Sequence, residues 1–338
     1  MQEDKNKTNF SDIGKEIAIE RLFEGSGYSN SGDFTLKNGQ TLHKIMLEGV
    51  DFDLIYTPLK HLGYKAALSI IGDAYANMTT PKHLSIVLGI SAKFYFEDIS
   101  DLWCGFLACA KEFEIEDVTL DLVPSINGLC ISMSLMSQIY PIKKSTPKSM
   151  DLICLSGNLG AAYMGLQLLE REKRIFESGQ DEGFQPDFAG KEYILERQLK
   201  PEACIDTIKY LREKNIVPTA MMDVSDGLSS ELLHICKASG VGCRVYEDKL
   251  PIDYATASMC DEFNMNLTTV ALNGGEDYEL LFTVPLSEHE KLQGLEGVHI
   301  IGYITEANAG AALITRDGQE MQITAQGWNA FKPESEEK

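Results

Sequence analysis

At 338 residues, 44% of them hydrophobic, the chain is too long for one small domain and has apolar material for sizeable cores; at roughly 150 residues per domain it predicts two domains. Its formal charge is −21, from 51 acidic against 30 basic residues, and no basic cluster offsets it, which argues against a nucleic-acid partner. Phosphorylated small molecules are anions too, so an acidic chain that binds them needs metal ions or backbone N–H donors to reverse the local field. The eight cysteines are scattered without C-x-x-C spacing, which reads as buried thiols in a reducing compartment. Met1 to Ser11 is polar and lacks the apolar core of a signal peptide. No apolar run approaches the ~20 residues of a membrane span, so no membrane association is expected. The expectation is a soluble cytoplasmic protein.

In chain order, Ile13–Phe23 predicts a short amphipathic helix capped by Ser11 or Asp12. Residues 24–40 are rich in Gly, Ser and Asn and include Ser31-Gly32-Asp33-Phe34. Lys44–Leu47 reads as a strand, and Glu48-Gly49-Val50-Asp51-Phe52 as a turn carrying two acids. Pro58 opens a helix over Leu59–Met78, Pro being favoured in a first turn. That helix holds Asp73 in an otherwise small and apolar stretch, where Asp is normally paired or metal-bound. Leu84–Ile90 predicts a strand and Asp98–Phe113 a helix. Val118–Leu122 and Leu129–Ser137 read as strands joined at Asn127-Gly128. Asp121 lies in the first of these, where Asp is disfavoured.

The polar, proline-containing run Pro141–Lys148 marks the domain boundary, giving domains over 1–144 and 145–333 and a charged tail over 334–338. An apolar strand, Leu152–Leu155, runs into Ser156-Gly157-Asn158-Leu159-Gly160 and a helix over Ala161–Phe176. This glycine turn either cradles a phosphate on its N–H groups or is a plain strand-to-helix turn; it lacks both the P-loop ending and the dinucleotide fingerprint. Helices follow over Lys191–Leu199 and Ala203–Glu213. Next comes the most informative stretch, Met221-Met222-Asp223-Val224-Ser225-Asp226-Gly227-Leu228. It reads as strand, tight turn and helix, with Asp223 and Ser225 on one strand face and Asp226 starting the turn. Ser225 or Asp226 can simply cap the helix, but three polar groups exceed what a cap requires. Carboxylates this close repel unless a cation joins them, and Mg²⁺ takes oxygen ligands.

Strands over Gly242–Tyr246, Thr268–Leu272 and Tyr278–Val284 follow, with a helix over Tyr254–Phe263. The last two strands flank Asn273-Gly274-Gly275-Glu276-Asp277, whose acids exceed the needs of a hairpin; a substrate-facing loop and a solvated one both remain open. Further strands lie near Ile300 and Ile323. Both halves mix strands, helices and hairpin-like pairs, so the fold class is α+β, with mixed sheets covered by helices. Asp73 or Asp121 alone reads as a salt-bridged or exposed residue. With Asp223 and Asp226 they suggest a multi-carboxylate Mg²⁺ site shared between two domains. The six histidines are dispersed, which leaves no histidine-metal site or Ser-His-Asp arrangement to argue.

MMDVSDGLSSELLHICKASGVGCRV, LNGGEDYELLFTVP and the closing QGWNAF resemble the C-terminal half of the thiamine-monophosphate kinase family, in the AIR synthase-related, PurM-like ATP-binding superfamily. LGYKAALSIIGDAYANMTTP and SGNLGAAYMGLQLL resemble that family's first-domain helix and the turn that opens its second domain. The resemblance implies a two-domain PurM-like homodimer that joins through its N-terminal domains. The active site is expected in the cleft between domains, transferring the γ-phosphate of ATP to thiamine monophosphate. It implies Mg²⁺ held by Asp73, Asp121, Asp223 and Asp226, with Asp33 as a further candidate. ATP would meet Ser225, Gly157 and Lys144, the last standing where the family has Arg. The thiamine end would meet Glu276 and Trp328, with Asp51 standing where the family has His. No protein nucleophile is expected, because a phosphate oxygen attacks and catalysis is positioning plus metal electrostatics. The departures fall in the first half: Gly32-Asp33-Phe34 replaces Gly-Asp-Asp, a Ser/Thr-Asp element is missing, and Thr119-Leu120-Asp121-Leu122 replaces Gly-Gly-Asp-Thr. They motivate two alternatives: a non-catalytic paralogue binding nucleotide or thiamine phosphate, and a related ATP-using enzyme acting on another small substrate.

Overall fold

The computed structural model describes residues 8–28, 36, 38–139, 145–178, 186 and 188–326. Asp33, Lys144, Trp328 and the charged tail lie outside them. Two compact units form, and they are not consecutive in sequence. One is Met1–Ile142, Leu169–Asp187 and Leu199–Ile208; the other is Lys143–Leu168, Phe188–Gln198 and Lys209–Lys338. The chain therefore returns to the first unit twice instead of breaking once near residue 144.

The first unit's opening stretch gives α1 (Phe10–Phe23), β1 (Gly39–Leu47), α2 (Leu59–Ala76), β2 (Thr79–Ile90), α3 (Phe96–Glu112), β3 (Asp117–Pro124) and β4 (Cys130–Ile139). The sheet order is β1-β4-β2-β3, with β2 and β3 parallel and the other pairs antiparallel. The expected β3–β4 hairpin does not form, because β2 lies between the two strands and pairs with both. Alternation buries Leu84, Ile86, Leu88, Val118, Leu120, Ile131, Met133 and Leu135 on one face, and α2 packs over the sheet. Two glycines let α2 and α3 touch: a Cβ on Gly63 would stand 2.0 Å from the Leu102 carbonyl oxygen, and one on Gly105 2.0 Å from that of Lys60. Thr41, His43, Ile45 and Leu47 point to the other face, where Ile45 is 56% and Leu47 40% exposed. Boundaries shift by a few residues from expectation. α1 starts at Phe10 after Asn9, with no side-chain cap, so Ser11 and Asp12 lie inside it; Pro58 is the N-cap of α2 and not its first helical residue.

The chain continues through β5 (Leu152–Ser156), α4 (Ala161–Ser178), α5 (Glu192–Leu199), α6 (Ile205–Glu213), β6 (Ala220–Asp223), α7 (Leu228–Ser239) and β7 (Val241–Tyr246). It ends with α8 (Tyr254–Glu262), α9 (Leu267–Asn273), β8 (Leu280–Val284), α10 (His289–Leu292), β9 (Val298–Glu306), β10 (Ala311–Ile314) and β11 (Glu320–Gln322). The second unit's sheet runs β11-β10-β7-β9-β5-β8-β6, antiparallel apart from the β7–β10 pair. Its main core joins Ile153, Leu155, Val224, Leu228, Leu232, Val245, Leu281 and Ile301. A second cluster joins Met164, Leu168, Ile194, Met259 and Val270.

One expected strand is a helix. Thr268–Leu272 lies in α9, which Asn266 caps: its Oδ1 accepts from the Thr269 N–H at 2.8 Å. Burial of Val270 in one cluster and Ala271 in the other outweighs the strand preference of Thr-Thr-Val. Five cysteines are buried, Cys104 is exposed, and all eight are free thiols. No helix of the described residues is long and apolar enough to cross a membrane.

Candidate functional site: the aspartate turn and the double-glycine loop

β6 ends at the buried Asp223, two residues sooner than a strand-face pairing with Ser225 requires. The chain beyond it is held by the loop 274–279. Val224 N–H donates to the Glu279 carbonyl (2.7 Å), Tyr278 N–H to the Val224 carbonyl (3.0 Å) and Glu276 N–H to the Ser225 carbonyl (2.8 Å). Gly275 permits this approach, since a Cβ there would stand 2.7 Å from the Ser225 carbonyl oxygen. Gly227 takes φ +94° and is itself the N-cap of α7, with no side-chain cap bond. The acids before it are therefore not consumed in capping. Ser225 is half-buried and Asp226 exposed. From inside α7, the buried Glu231 reaches back to accept from the Asp226 N–H at 3.3 Å. Burial, then the Asp226 charge, raises the Glu231 pKa. A cation would relieve such crowding.

The loop itself is strained. Glu276 (φ +64°) and Tyr278 (φ +53°) are left-handed on either side of Asp277; such residues cost on the order of 1–3 kcal/mol each and persist only where the surroundings fix them. Asp277 is fully buried; its Oδ2 accepts from the Gly160 N–H (2.7 Å) and its Oδ1 from the Ala162 N–H (3.4 Å). Burial pushes its pKa up to about 7 against the pull of the Gly160 N–H and Arg197. Arg197 Nη2 on α5 donates to the Asp277 carbonyl (2.8 Å) and to Glu279 Oε1 (2.7 Å). Burial lowers the Arg197 pKa, but Glu279 and Asp277 outweigh it and the net shift is upward. Ser156 Oγ donates to Glu279 Oε2 (2.5 Å) and accepts from the Leu280 N–H (2.8 Å). Gln198 Nε2 donates to Glu276 Oε2 at 3.1 Å.

Of the two readings left open for Ser156–Gly160, this network favours the plain strand-to-helix turn. Its N–H groups are already engaged: Gly157 with the Gly297 carbonyl, Leu159 with that of Pro251, and Gly160 with Asp277. Gly157 is required for packing, because a Cβ there would sit 2.0 Å from Glu279 Oε1.

In the first unit, Asp73 lies 3.6 Å from Lys44 Nζ. Asp121 sits mid-β3, opposite Val87 and alternating with the buried Leu120 and Leu122. Lys44 shares the helix-covered face through its pairing with Met133, so Asp73 and Asp121 stand on opposite sides of the sheet. Asp51 is exposed and its Oδ2 accepts from the Leu47 N–H at 2.7 Å, within its own turn. Glu48 is occupied by Lys93 and the Leu129 N–H. Gln326, the last described residue, donates its N–H to Asn273 Oδ1 at 3.0 Å, two residues before Trp328. Among the described residues no group of three or more His, Cys, Asp or Glu is placed to hold a metal. Two carboxylates, Asp223 and Asp226, stand at the turn; Mg²⁺ commonly takes one or two and completes its shell with water and substrate phosphate.

Residues 151–314 match the family AIR synthase related protein, C-terminal domain. The thiamine-monophosphate kinase of Bacillus subtilis (strain 168) is 29% identical over 295 residues, covering 85% of this chain and 86% of its own. The crystal structure of thiamine monophosphate kinase from Aquifex aeolicus is 25% identical with a TM-score of 0.72, covering 93% of this chain and all of that one. Over most of its length the chain is thus similar to thiamine-monophosphate kinases. A structure of AaThiL complexed with AMPPCP and TMP superimposes with a TM-score of 0.73 at 25% identity, over 96% of this chain and all of that one. The two-domain α+β fold expected of such a relative is the fold present.

Sequence reading found the acids of the turn and Glu276 but missed the residues that fix them. Arg197 and Gln198 gave no local signal, since their partners are some 80 residues away. Asp277 was in view as a surplus acid of the loop, whereas Glu279 was not singled out. Glu231 was visible as an acid in the first turn of α7, where the helix dipole favours it.

Proposed function

We propose that this protein is a phosphotransferase that moves the γ-phosphate of ATP onto thiamine monophosphate, giving thiamine diphosphate, with Mg²⁺. The observation that carries the reading is the backbone bond from Glu276 N–H to the Ser225 carbonyl, which fixes the double-glycine loop against the aspartate turn. Asp223 and Asp226 would hold Mg²⁺, which supplies charge neutralisation to the phosphates. Ser225 contacts ATP, and Glu276 contacts the thiamine end. By the resemblance, Asp33 would add a carboxylate, Lys144 would contact ATP and Trp328 would stack on the cationic ring; of Asp73 and Asp121, which stand on opposite sides of their sheet, at most one would serve the metal. No side chain need supply a nucleophile; the chain's own work is to orient two anions and hold them together. Purified protein given thiamine monophosphate, ATP and Mg²⁺ should form thiamine diphosphate, followed by chromatography, and Asp226→Asn should abolish it while leaving the fold near normal. Full turnover in that variant would remove the metal assignment.

The protein is proposed to act as a homodimer through the uncovered face of the first sheet, where Ile45 and Leu47 on β1 and, at the opposite edge, Val123 on β3 are exposed. Light scattering on Ile45→Glu should show a monomer, and an unchanged mass would refute this face. A second reading is binding without transfer, favoured by the placement of Asp73 and Asp121 on opposite sides of their sheet. Ligand binding by calorimetry without product would select it.

A further inference from the structure

The strained loop needs something that fixes it, and the geometry points to α5. We infer that Arg197 and Gln198, successive residues of α5, are positioning residues that clamp loop 274–279 against the Ser225 turn and set the direction of Glu276. The inference rests on the functional reading for its substrate, but its geometry does not. Arg197 Nη2 bridges the Asp277 carbonyl and the Glu279 carboxylate, so it fixes the loop on either side of Tyr278. Gln198 Nε2 then holds the Glu276 side chain itself. The Asp277 side chain is tied in turn to the N–H groups of Gly160 and Ala162 at the start of α4. The left-handed Glu276 and Tyr278 are thus pinned through backbone bonds to Ser225 and Val224, a side-chain amide and a guanidinium. Arg suits this place because its planar fork can serve a carbonyl and a carboxylate together, which a lysine's point charge does less well. A helix that touches no reacting group would in this way govern how the Glu276 carboxylate is presented to the substrate.

Hydrogen exchange of the intact protein, read by mass spectrometry, tests the clamp without any substrate. In Arg197→Gln, the Glu276 and Tyr278 amides should exchange about tenfold faster or more, as expected for loss of charge-assisted bonds, while β9 keeps its protection. Gln198→Met, which keeps the side chain's length, guards against a variant that merely fails to fold; it should leave exchange elsewhere unchanged. In steady-state kinetics both variants should raise KM for thiamine monophosphate about tenfold and leave KM for ATP unchanged, and Arg197→Lys should recover part of the loss. A merely structural Arg197 would lower Tm and the active fraction with both KM values unchanged, and that result overturns the inference. Unchanged loop exchange in Arg197→Gln overturns it whatever the activity. If the wild-type protein makes no thiamine diphosphate, the functional reading fails, and the exchange result alone decides the clamp.

Discussion

Gly157→Ala separates a packing glycine from a ligand-contacting one. The residue is left-handed at φ +54°, and the added Cβ would lie 2.0 Å from Glu279 Oε1 and 2.2 Å from its Cδ. Those atoms cannot retreat freely, because the carboxylate is held by Ser156 Oγ at 2.5 Å and by Arg197 Nη2 at 2.7 Å. A non-glycine residue in this conformation costs about 1–2 kcal/mol. Displacing Glu279 adds the loss of at least one hydrogen bond to a charged group, about 1.5–3 kcal/mol. The sum is a destabilisation of about 2.5–5 kcal/mol. Gly240→Ala is the matched control: φ is +65° at the C-cap of α7, and nothing lies within 4 Å of the new Cβ. It should lose only the conformational part, about 1–2 kcal/mol. Urea unfolding followed by circular dichroism compares the two midpoints. Equal losses would show that Glu279 is not held as described. An unshifted midpoint with weakened ATP binding would restore Gly157 as a ligand contact.

Raising the pH from 4 to 7 should reduce stability through Asp277. Its folded pKa of about 7 exceeds the unfolded value near ~3.9, so the native state holds the extra proton across that window. Nothing is contributed to the slope below the unfolded pKa, and the loss reaches up to about 1.4 kcal/mol per pH unit between the two values. Asp277→Asn should flatten the profile of urea midpoint against pH, and an unchanged slope would refute the assignment. Asp73→Asn removes a partly exposed pair with Lys44 and should change the urea stability by less than about 1 kcal/mol. Asn273→Ala removes the acceptor for the Gln326 N–H; proteolysis after the last strand should become faster, and an unchanged rate would show that this bond does not anchor the chain there.

The helices and most strands were legible because their patterns are local. The apolar face of β2 and the small-residue seam of α2 can be read within one element. What escaped reading depends on partners distant in sequence. Val118–Leu122 and Leu129–Ser137 look like a hairpin until β2, which neither segment specifies, takes the place between them. Thr268–Leu272 has strand residues but lies between two clusters that reward a helix. The site divides the same way. Asp223, Ser225 and Asp226 are close in sequence and were found together. Arg197 and Gln198 become relevant only when α5 meets the loop.

The loop and the turn also show how so acidic a chain answers its buried carboxylates. Asp277 and Glu279 are each answered from within the fold, one by helix N–H groups and the other by Arg197 and Ser156. Their role is conformational, since a buried carboxylate with its acceptors filled has little left to offer a cation. Asp226 is different: it is exposed, caps nothing, and raises the pKa of its neighbour Glu231 by its charge. Glu276 lies between these cases, one oxygen held by Gln198 while its backbone is tied to the Ser225 turn. The order of the acids along Glu276-Asp277-Tyr278-Glu279 therefore has a physical reason. Asp277 and Glu279 both reach the 156–162 segment and anchor the loop there, which leaves Glu276 as the acid that can face a ligand.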